Sequence, residues 1–385
     1  MKTIKIKSIE KEDNSVIARI VIDNSEEIIR TTFTEEYSND IVTDRIDAYV
    51  WGLIGFAMSN GADIVSDIPM SESLYYNLTY HYIPTVTKER EELKHINIIA
   101  PLTKEIESTG RIVATGISCG VDSLYTIKKY SADNIPLAHR VNTLVFLNVG
   151  SSMKGSSILR TPLVQGRLEL AERFANEYNY DFLFIESDIH LLINKYIGYD
   201  HVRNNTYMML FSVYHLQSIV GSYYYSSGYS YSNFHFGEDP ACYDLLNFAM
   251  ASIGKMHFYS TGGECERVAK TKELADYPPA YKYLNVCVEE VKNDSKCFKC
   301  VRTMLTLDAL KALDKFGDVF DVDYYKKNRF LYLKELYLSA VYKNDPFMKE
   351  ILPLFKKEIT IFTKIKIYLI CIKNRLFGWY INGRK

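Results

Sequence analysis

The chain has almost no net charge. It contains 46 lysines and arginines against 47 aspartates and glutamates in 385 residues, which gives a formal net charge of -1. A protein that binds a long nucleic-acid surface needs a basic face, so this balance argues against DNA as a partner and makes tRNA a poor candidate. Hydrophobic residues make up 47% of the chain, enough for well-formed cores.

Two further features are missing. Residues 1–7 alternate as a strand does and lack the apolar run of a signal peptide. The seven cysteines are unevenly spaced, with a single Cys-x-x-Cys pair, and this does not suit a disulfide framework. We therefore expect a cytoplasmic protein with reduced thiols.

The order of strand-like and helix-like segments predicts an α/β protein in three parts. Residues 1–104 read as a small α+β domain and residues 311–385 as a helical C-terminal extension. Residues 105–310 alternate strand and helix, the pattern of a parallel sheet covered on both faces. The predicted strands are 3–7, 16–22, 27–33, 95–99, 111–117, 143–149, 182–189, 222–227 and 255–260, and the predicted helices are 46–58, 123–130, 163–178 and 206–220.

The most informative segment is a short apolar strand followed by a loop of small residues and then a helix. This arrangement points backbone N–H groups and the positive end of a helix at one place, which suits a phosphate. Asp122 makes sense there if Mg²⁺ accompanies the phosphates, and Ser123 can cap the helix. The alternative is an ordinary turn rich in Ser and Gly. The loop residues are Ser118, Cys119, Gly120, Val121, Asp122 and Ser123.

Polar residues also follow the other predicted strands. Ligands of parallel sheets bind beyond the carboxyl ends of the strands, so we expect Asn148 and Gly150 to help bind the nucleotide. Glu264 and Asp188 are weaker candidates as Mg²⁺ or substrate ligands.

Arg267 and Lys270 are the candidate cations for catalysis. They lie three residues apart, one turn if the segment is helical, so both can face a triphosphate. Fixed cations stabilise the charge that accumulates when pyrophosphate leaves. The competing interpretation is a solvated helix face.

A cysteine cluster follows. Cys297 and Cys300 have Cys-x-x-Cys spacing and Cys287 precedes them, which suits a structural Zn²⁺ with four protein ligands. Asp294, His257 or a water could complete the shell. The alternative is three buried, inert cysteines.

The loop resembles the Ser-Gly-Gly-x-Asp-Ser signature of the PP-loop ATP pyrophosphatases, with Cys119 in place of the first glycine. The resemblance implies a HUP/Rossmann-like fold that binds ATP and Mg²⁺ and cleaves ATP to AMP and pyrophosphate. The spacing of a Walker loop is absent.

Residues 111–310, about half the chain, are further similar to the 7-cyano-7-deazaguanine synthases. In that family four cysteines bind zinc; Cys287, Cys297 and Cys300 match three of them, Asp294 stands at the fourth, and Arg302 matches the arginine that follows. The resemblance implies an adenylating ligase. A carboxylate or amide oxygen of a small-molecule or protein-linked acid attacks the α-phosphate, and ammonia or an amine then displaces AMP.

Two rival functions remain. One is a sulfur-transferring PP-loop enzyme acting on tRNA, and the other is a nucleotide-binding module without catalysis, suggested by Cys119 and the incomplete cysteine set. By analogy alone, the N-terminal part and the C-terminal extension suggest a specialised role, such as in a defence or surface-polysaccharide pathway.

The C-terminal segment, residues 354–385, is strongly basic. It has eight lysines and arginines against one glutamate, a net charge of +7, interleaved with apolar residues. Its uncharged runs, such as residues 367–372, are too short to span a bilayer. It reads either as an amphipathic helix on an anionic membrane surface or partner, or as a helix docked on the protein's own acidic face.

Overall fold

The computed structural model describes residues 2–151 and 159–382. The strands are β1 Thr3–Glu12, β2 Ser15–Ile22, β3 Ser25–Phe33, β4 Asp63–Ser66, β5 Met70–Ser71, β6 Ile98–Ile99, β7 Leu102–Thr103, β8 Ile112–Gly116, β9 Thr143–Asn148, β10 Asp181–Ser187, β11 Val220–Ser226 and β12 His257–Thr261. The helices are α1 Asp47–Asn60, α2 Glu72–Tyr76, α3 Ile83–Glu89, α4 Val121–Tyr130, α5 Pro162–Glu177, α6 Ile189–Ile197, α7 His201–Tyr214, α8 Asp244–Ala251, α9 Arg267–Leu274, α10 Pro278–Tyr283, α11 Phe298–Ala309, α12 Val322–Lys327, α13 Arg329–Val341, α14 Pro346–Ile351 and α15 Ile361–Asn382.

Ten of these strands form one sheet, in the order β12-β11-β8-β9-β10-β3-β2-β1-β4-β6. The five strands from β12 to β10 are all parallel, β10 pairs with β3 antiparallel, and β1, β2 and β3 form an antiparallel meander. The predicted α/β class is confirmed: the sheet is large and mostly parallel, consistent with a Rossmann-like domain.

The parallel half of the sheet contains a topological switch point. The chain enters at β8, continues through β9 and β10 to one side, and then returns to place β11 and β12 on the other side. The strand order therefore reverses between β8 and β11, and in open α/β sheets the carboxyl ends of the strands at such a point form a ligand-binding crevice.

Helix α1 shows how the core is built against this sheet. Its residues are buried almost all round, and its two glycines face α7. A Cβ on Gly52 would come within 2.8 Å of the Phe211 ring, and one on Gly55 within 2.7 Å of the Tyr207 ring. The two helices can approach this closely because both positions lack a side chain.

The structure groups the chain differently from the three predicted parts. It forms two compact units, Met1–Cys265 and Glu266–Lys385. Residues 1–104 belong to the first unit because β3 extends the sheet by pairing antiparallel with β10, with Phe33 opposite Ile185. The second unit is helical, from α9 to α15. None of the described helices combines the length and apolar character needed to cross a membrane.

Several predicted boundaries shift in the structure. The predicted helix 206–220 is α7, which starts at His201 and ends at Tyr214, and Val220 begins β11. The predicted strand 182–189 ends at Ser187, where α6 follows. Asn204 to Tyr214 are almost all buried, so α7 has no polar face that would have marked its limits.

Candidate functional site

The predicted phosphate loop lies beyond the carboxyl end of β8, at the switch point. Cys119 has a φ of 56°, in the left-handed region that favours glycine. Its side chain is 1% exposed, and burial raises the pKa of the thiol to about 12. A glycine would be the unstrained residue at this position, as in the PP-loop signature.

Serine hydroxyls hold the loop in shape. Ser118 Oγ accepts the N–H of Gly120 at 3.3 Å and lies 3.2 Å from Ser123 Oγ. Ser123 Oγ also donates to the Gly120 carbonyl at 3.2 Å. The N-cap of α4 is Gly120, with no side-chain cap, so Ser123 braces the first turn instead of capping the helix as predicted.

The start of α4 presents backbone donors. Its first helical hydrogen bond runs from Leu124 N to the Gly120 carbonyl at 3.0 Å, so the N–H groups of Val121, Asp122 and Ser123 have no acceptor within the helix. Asp122 is half-exposed in this first turn. Three N–H groups, the helix dipole and a carboxylate are therefore brought together, a set that suits an anion accompanied by a cation.

At the end of the neighbouring strand β9, Asn148 is already engaged. Its Nδ2 donates to Glu186 Oε2 at 2.8 Å and to the Leu159 carbonyl at 3.0 Å. Arg160 Nε donates to both oxygens of Glu186, at 3.2 and 3.0 Å, and its guanidinium lies 5.0 Å from the Phe184 ring centroid. Sequence reasoning missed Arg160, whose only signal is its position before the helix-starting Thr-Pro.

Gly150 has a φ of 107°, and a Cβ there would lie 2.6 Å from the Tyr199 ring. The backbone conformation and the close approach both require glycine at this position. The roles of Asn148 and Gly150 in nucleotide binding stay predictions.

Glu264 and Asp188, the weaker candidates for ligands, both have protein partners. Tyr125 OH donates to Glu264 Oε1 at 2.9 Å, and Lys129 forms an ion pair with the same carboxylate. Although burial raises the pKa of Glu264, the hydrogen bond from Lys129 helps to hold it below its usual value. Asp188 Oδ1 accepts the N–H of Arg30 at 2.8 Å. Glu264 thus fastens α4, which carries the loop, to the segment after β12.

A depression lies beyond the carboxyl ends of β11 and β12, with about 220 Å³ of space open to solvent. Its wall is mostly aromatic and hydroxylic. Asp244 lies at this depression; it is 3% exposed, and Thr206 Oγ1 donates to its Oδ1 at 2.9 Å. Burial raises the pKa of this carboxyl well above its usual range. The lining residues are Ser227, Tyr229, Ser230, Tyr231, Phe234, Ala241, Cys242, Asp244, Leu245 and Ser260.

Arg267 and Lys270 lie on α9 of the second unit. Lys270 is 2% exposed, so the alternative of a solvated helix face is wrong for this residue. Arg267 Cζ lies 5.0 Å and Arg302 Cζ 4.3 Å from the centroid of the Phe347 ring. The prediction that Arg267 and Lys270 face a triphosphate stays a prediction.

The predicted metal ligands come together in the second unit. One ligand atom from each of Cys287, Asp294, Cys297 and Cys300 lies within 4.8 Å of the others. Cys297 Sγ and Cys287 Sγ are 3.8 Å apart, and a tetrahedral zinc with Zn–S bonds of about 2.3 Å places its sulfur atoms about 3.8 Å apart. His257, the other candidate, lies on β12 and is not in the group. This cluster could hold a metal such as zinc.

The electrostatics of the cluster also suit a cation. Burial raises the pKa of Cys297 and of Cys300, and for Cys300 the Asp294 carboxylate adds to this. Although burial also raises the pKa of Asp294, the N–H groups of Cys297 and Lys296 hold it below its usual value. Asp294 Oδ1 accepts both, at 2.9 Å each. A bound metal would displace the thiol protons and take the thiolates as ligands. Its positive charge would then offset the negative charges of the thiolates and of Asp294.

Asn293 organises this cluster, and sequence reasoning missed it. Its Oδ1 accepts the N–H groups of Val286 at 2.8 Å and Cys287 at 3.1 Å. Its Nδ2 donates to the carbonyls of Leu284 at 2.8 Å and Val319 at 3.0 Å. Nothing in the sequence separates it from the other polar residues of the insert between Cys287 and Cys297.

No family model matches the chain, and neither a curated protein nor a solved structure matches it significantly.

Proposed function

We propose that the chain is an ATP-dependent adenylating enzyme that forms AMP and pyrophosphate, with the ATP phosphates in the Ser118–Ser123 loop. The observation that carries the proposal is the left-handed backbone at Cys119, in a loop at the switch point of a parallel sheet. A side chain is strained in that conformation. The loop adopts this backbone conformation although residue 119 is not a glycine. This supports a function that needs that backbone geometry.

In the proposed reaction the loop fixes the triphosphate. The N–H groups at the start of α4 and the hydroxyl of Ser118 would donate to phosphate oxygens, and Asp122 would hold the Mg²⁺ that accompanies them. An oxygen of the substrate carboxylate attacks the α-phosphorus, and the bond from that phosphorus to the bridging oxygen of the β-phosphate breaks. Ammonia or an amine then attacks the acyl carbon and loses a proton, and AMP leaves.

The acid substrate would lie beside the loop. The depression beyond β11 and β12 is at the same edge of the sheet as the loop, with β11 next to β8. Its tyrosine and serine hydroxyls can donate to a carboxylate. Zinc, where bound, would be held by Cys287, Asp294, Cys297 and Cys300 and would stabilise the fold of the second unit.

Product analysis with the Asp122→Ala variant tests the proposal. With ATP, Mg²⁺, ammonium and candidate acids, the wild type should form AMP and pyrophosphate. Asp122→Ala should abolish this while the variant still folds and melts cooperatively, because Asp122 is only half-buried, in the first turn of α4. Ser118→Ala and Ser123→Ala each lose the two loop hydrogen bonds of one hydroxyl, at about 1 kcal/mol apiece, and should slow turnover without abolishing it.

The matched control is Asp133→Ala, an exposed aspartate that pairs with Arg140 on the surface and should behave as wild type. Formation of ADP and phosphate, or wild-type turnover by Asp122→Ala, would contradict the proposal.

A further inference from the structure

Helix α15 carries a row of exposed apolar side chains. Side chains are described as far as Ile372, and six of them are at least half exposed, from 50% for Ile365 and Ile372 to 80% for Phe362. At about 100° per residue the six fall within an arc of about 120° on one side of the helix. Ile367, on the opposite side, is fully buried. We call the six the apolar arc: Ile361, Phe362, Ile365, Tyr368, Leu369 and Ile372.

The rest of the helix is already packed within the second unit. Lys366 Nζ lies 4.4 Å from the ring centroid of Phe330, and Lys364 Nζ lies 5.8 Å from that of Tyr337, both on α13. Tyr368 of the arc also touches this unit, since Tyr342 OH donates to its hydroxyl at 2.8 Å, but its side chain stays 53% exposed. These contacts and buried Ile367 hold α15 on its own unit, as one of the two interpretations of the sequence has it, although these partners are aromatic and not acidic. The side chains of the apolar arc stay exposed on the other side of the helix.

The charged residues of α15, Ile361–Asn382, are all basic. Lys364 and Lys366 lie on α15 itself, and residues 354–385 have a net charge of +7. The sequence continues the apolar spacing with Leu376, Trp379 and Tyr380. An apolar strip with aromatic residues and flanking lysines is the composition of a helix that lies in a membrane interface.

We propose that α15 binds the surface of an anionic lipid bilayer. The apolar arc enters the boundary between headgroups and acyl chains, and the neighbouring lysines contact the anionic headgroups. A second copy of the chain is a poorer occupant, because a two-fold interface would bring two segments of +7 together. The proposal does not depend on the nucleotide chemistry proposed above.

Co-sedimentation of the full chain with vesicles tests this. We expect binding to phosphatidylcholine vesicles that contain phosphatidylserine, weaker binding to phosphatidylcholine alone, and loss of binding in high salt. The double variant Phe362→Asp, Leu369→Asp should lower the partition coefficient at least about tenfold, since two large apolar side chains no longer enter the interface. The matched control is Leu137→Asp, because Leu137 is 82% exposed but lies in the first unit.

A second variant, Lys364→Glu with Lys366→Glu, leaves the apolar arc intact and should weaken binding to the anionic vesicles alone. Melting temperatures should be unchanged for the Asp double variant, because both side chains are exposed. Equal binding by wild type and the Asp double variant, or no binding to anionic vesicles, would overturn the proposal. Self-association in sedimentation velocity that the Asp double variant abolishes, without vesicle binding, would identify a second copy as the occupant instead.

Discussion

His215 makes the first unit sensitive to acid. It is 1% exposed between the rings of Tyr49 and Phe211, and its Nδ1 lies 2.8 Å from the Phe211 carbonyl. Burial lowers its pKa to about 4, against about 6.5 in an unfolded chain. The folded state therefore binds fewer protons in this range. Stability is fully present above about pH 6.5 and falls by up to about 3 kcal/mol as the pH drops to about 4.

The free energy of unfolding, measured by denaturant titration across this pH range, checks the effect. His215→Gln should be less stable at neutral pH but lose less stability on acidification than the wild type. Buried His190, whose pKa burial also lowers to about 4, would account for part of the remaining slope. His139→Gln, at an exposed position, should keep the wild-type slope, and the same slope in His215→Gln would contradict the assignment.

At the residue scale, the sequence indicates which residues share a site better than it indicates the residues that support them. Cys287, Asp294, Cys297 and Cys300 are expected together from their spacing, and their ligand atoms lie within 4.8 Å of one another. Asn293 and Arg160 act through hydrogen bonds to distant backbone or carboxylate groups, and an ordinary asparagine or arginine carries no sign of such partners. The sequence pattern places the start of α4 at Ser123, two residues late, and this is why it suggests Ser123 as the helix cap.

At the scale of elements, the segment from Cys287 to α11 is predicted to bind zinc. The protein as purified should carry up to one zinc per chain, because four ligand atoms already lie within 4.8 Å of one another. Cys297→Ser and Cys300→Ser should each lose or loosen the metal and lower the melting temperature, since a metal bound only to the folded state stabilises it.

Elemental analysis and thermal melting before and after chelation provide the measurement. Cys371→Ser is the matched control, because Cys371 is a partly buried cysteine of the same unit outside the cluster. Untreated protein without zinc and with fully reactive thiols would mean that these cysteines are simply packed.

Helices with a clear amphipathic pattern are predicted within about two residues, whereas β1 runs to Glu12, five residues past its predicted end. Helix α5 has a polar face and a Thr161 cap, so its start and end are visible in the sequence. Strand β4 and helix α6 are short, and each directly follows another apolar segment. The sequence therefore does not distinguish either of them from the element before it.

At the scale of the whole molecule, the pairing of β3 with β10 joins residues 1–104 to the parallel strands, and the sequence does not reveal it. Strand β3 joins β10 through backbone hydrogen bonds between residues about 150 positions apart, and such bonds place little constraint on side chains. Residues 1–104 therefore looked like a separate domain, although α1 packs on α7 and β3 covers the edge of β10.

A fragment of residues 105–385 tests this account. Without β3 the edge of β10 is open, and without α1 the face of α7 that packs against Gly52 and Gly55 is exposed. We expect the fragment to aggregate or to lack a cooperative melting transition, whereas the full chain melts cooperatively. A soluble fragment with a cooperative transition would show that residues 1–104 are an independent domain.

If the loop from Ser118 to Ser123 wraps around phosphate, the side chain at position 119 should control how tightly ATP binds. Calorimetric titration of ATP with Mg²⁺ should show that Cys119→Gly binds as well as the wild type or better, because glycine adopts a φ of 56° without strain. Cys119→Ser should bind nearly as the wild type does, and Cys119→Leu should lose binding.

Asn179→Gly is the matched control for these titrations. Asn179 also has a φ of 56° but lies outside the loop, so its replacement relieves similar strain and should leave ATP affinity unchanged. Affinity for ATP should fall in the order glycine, serine, leucine at position 119. If the leucine variant is folded and binds ATP as tightly as the glycine variant, the loop does not hold phosphate, and the proposed function is contradicted.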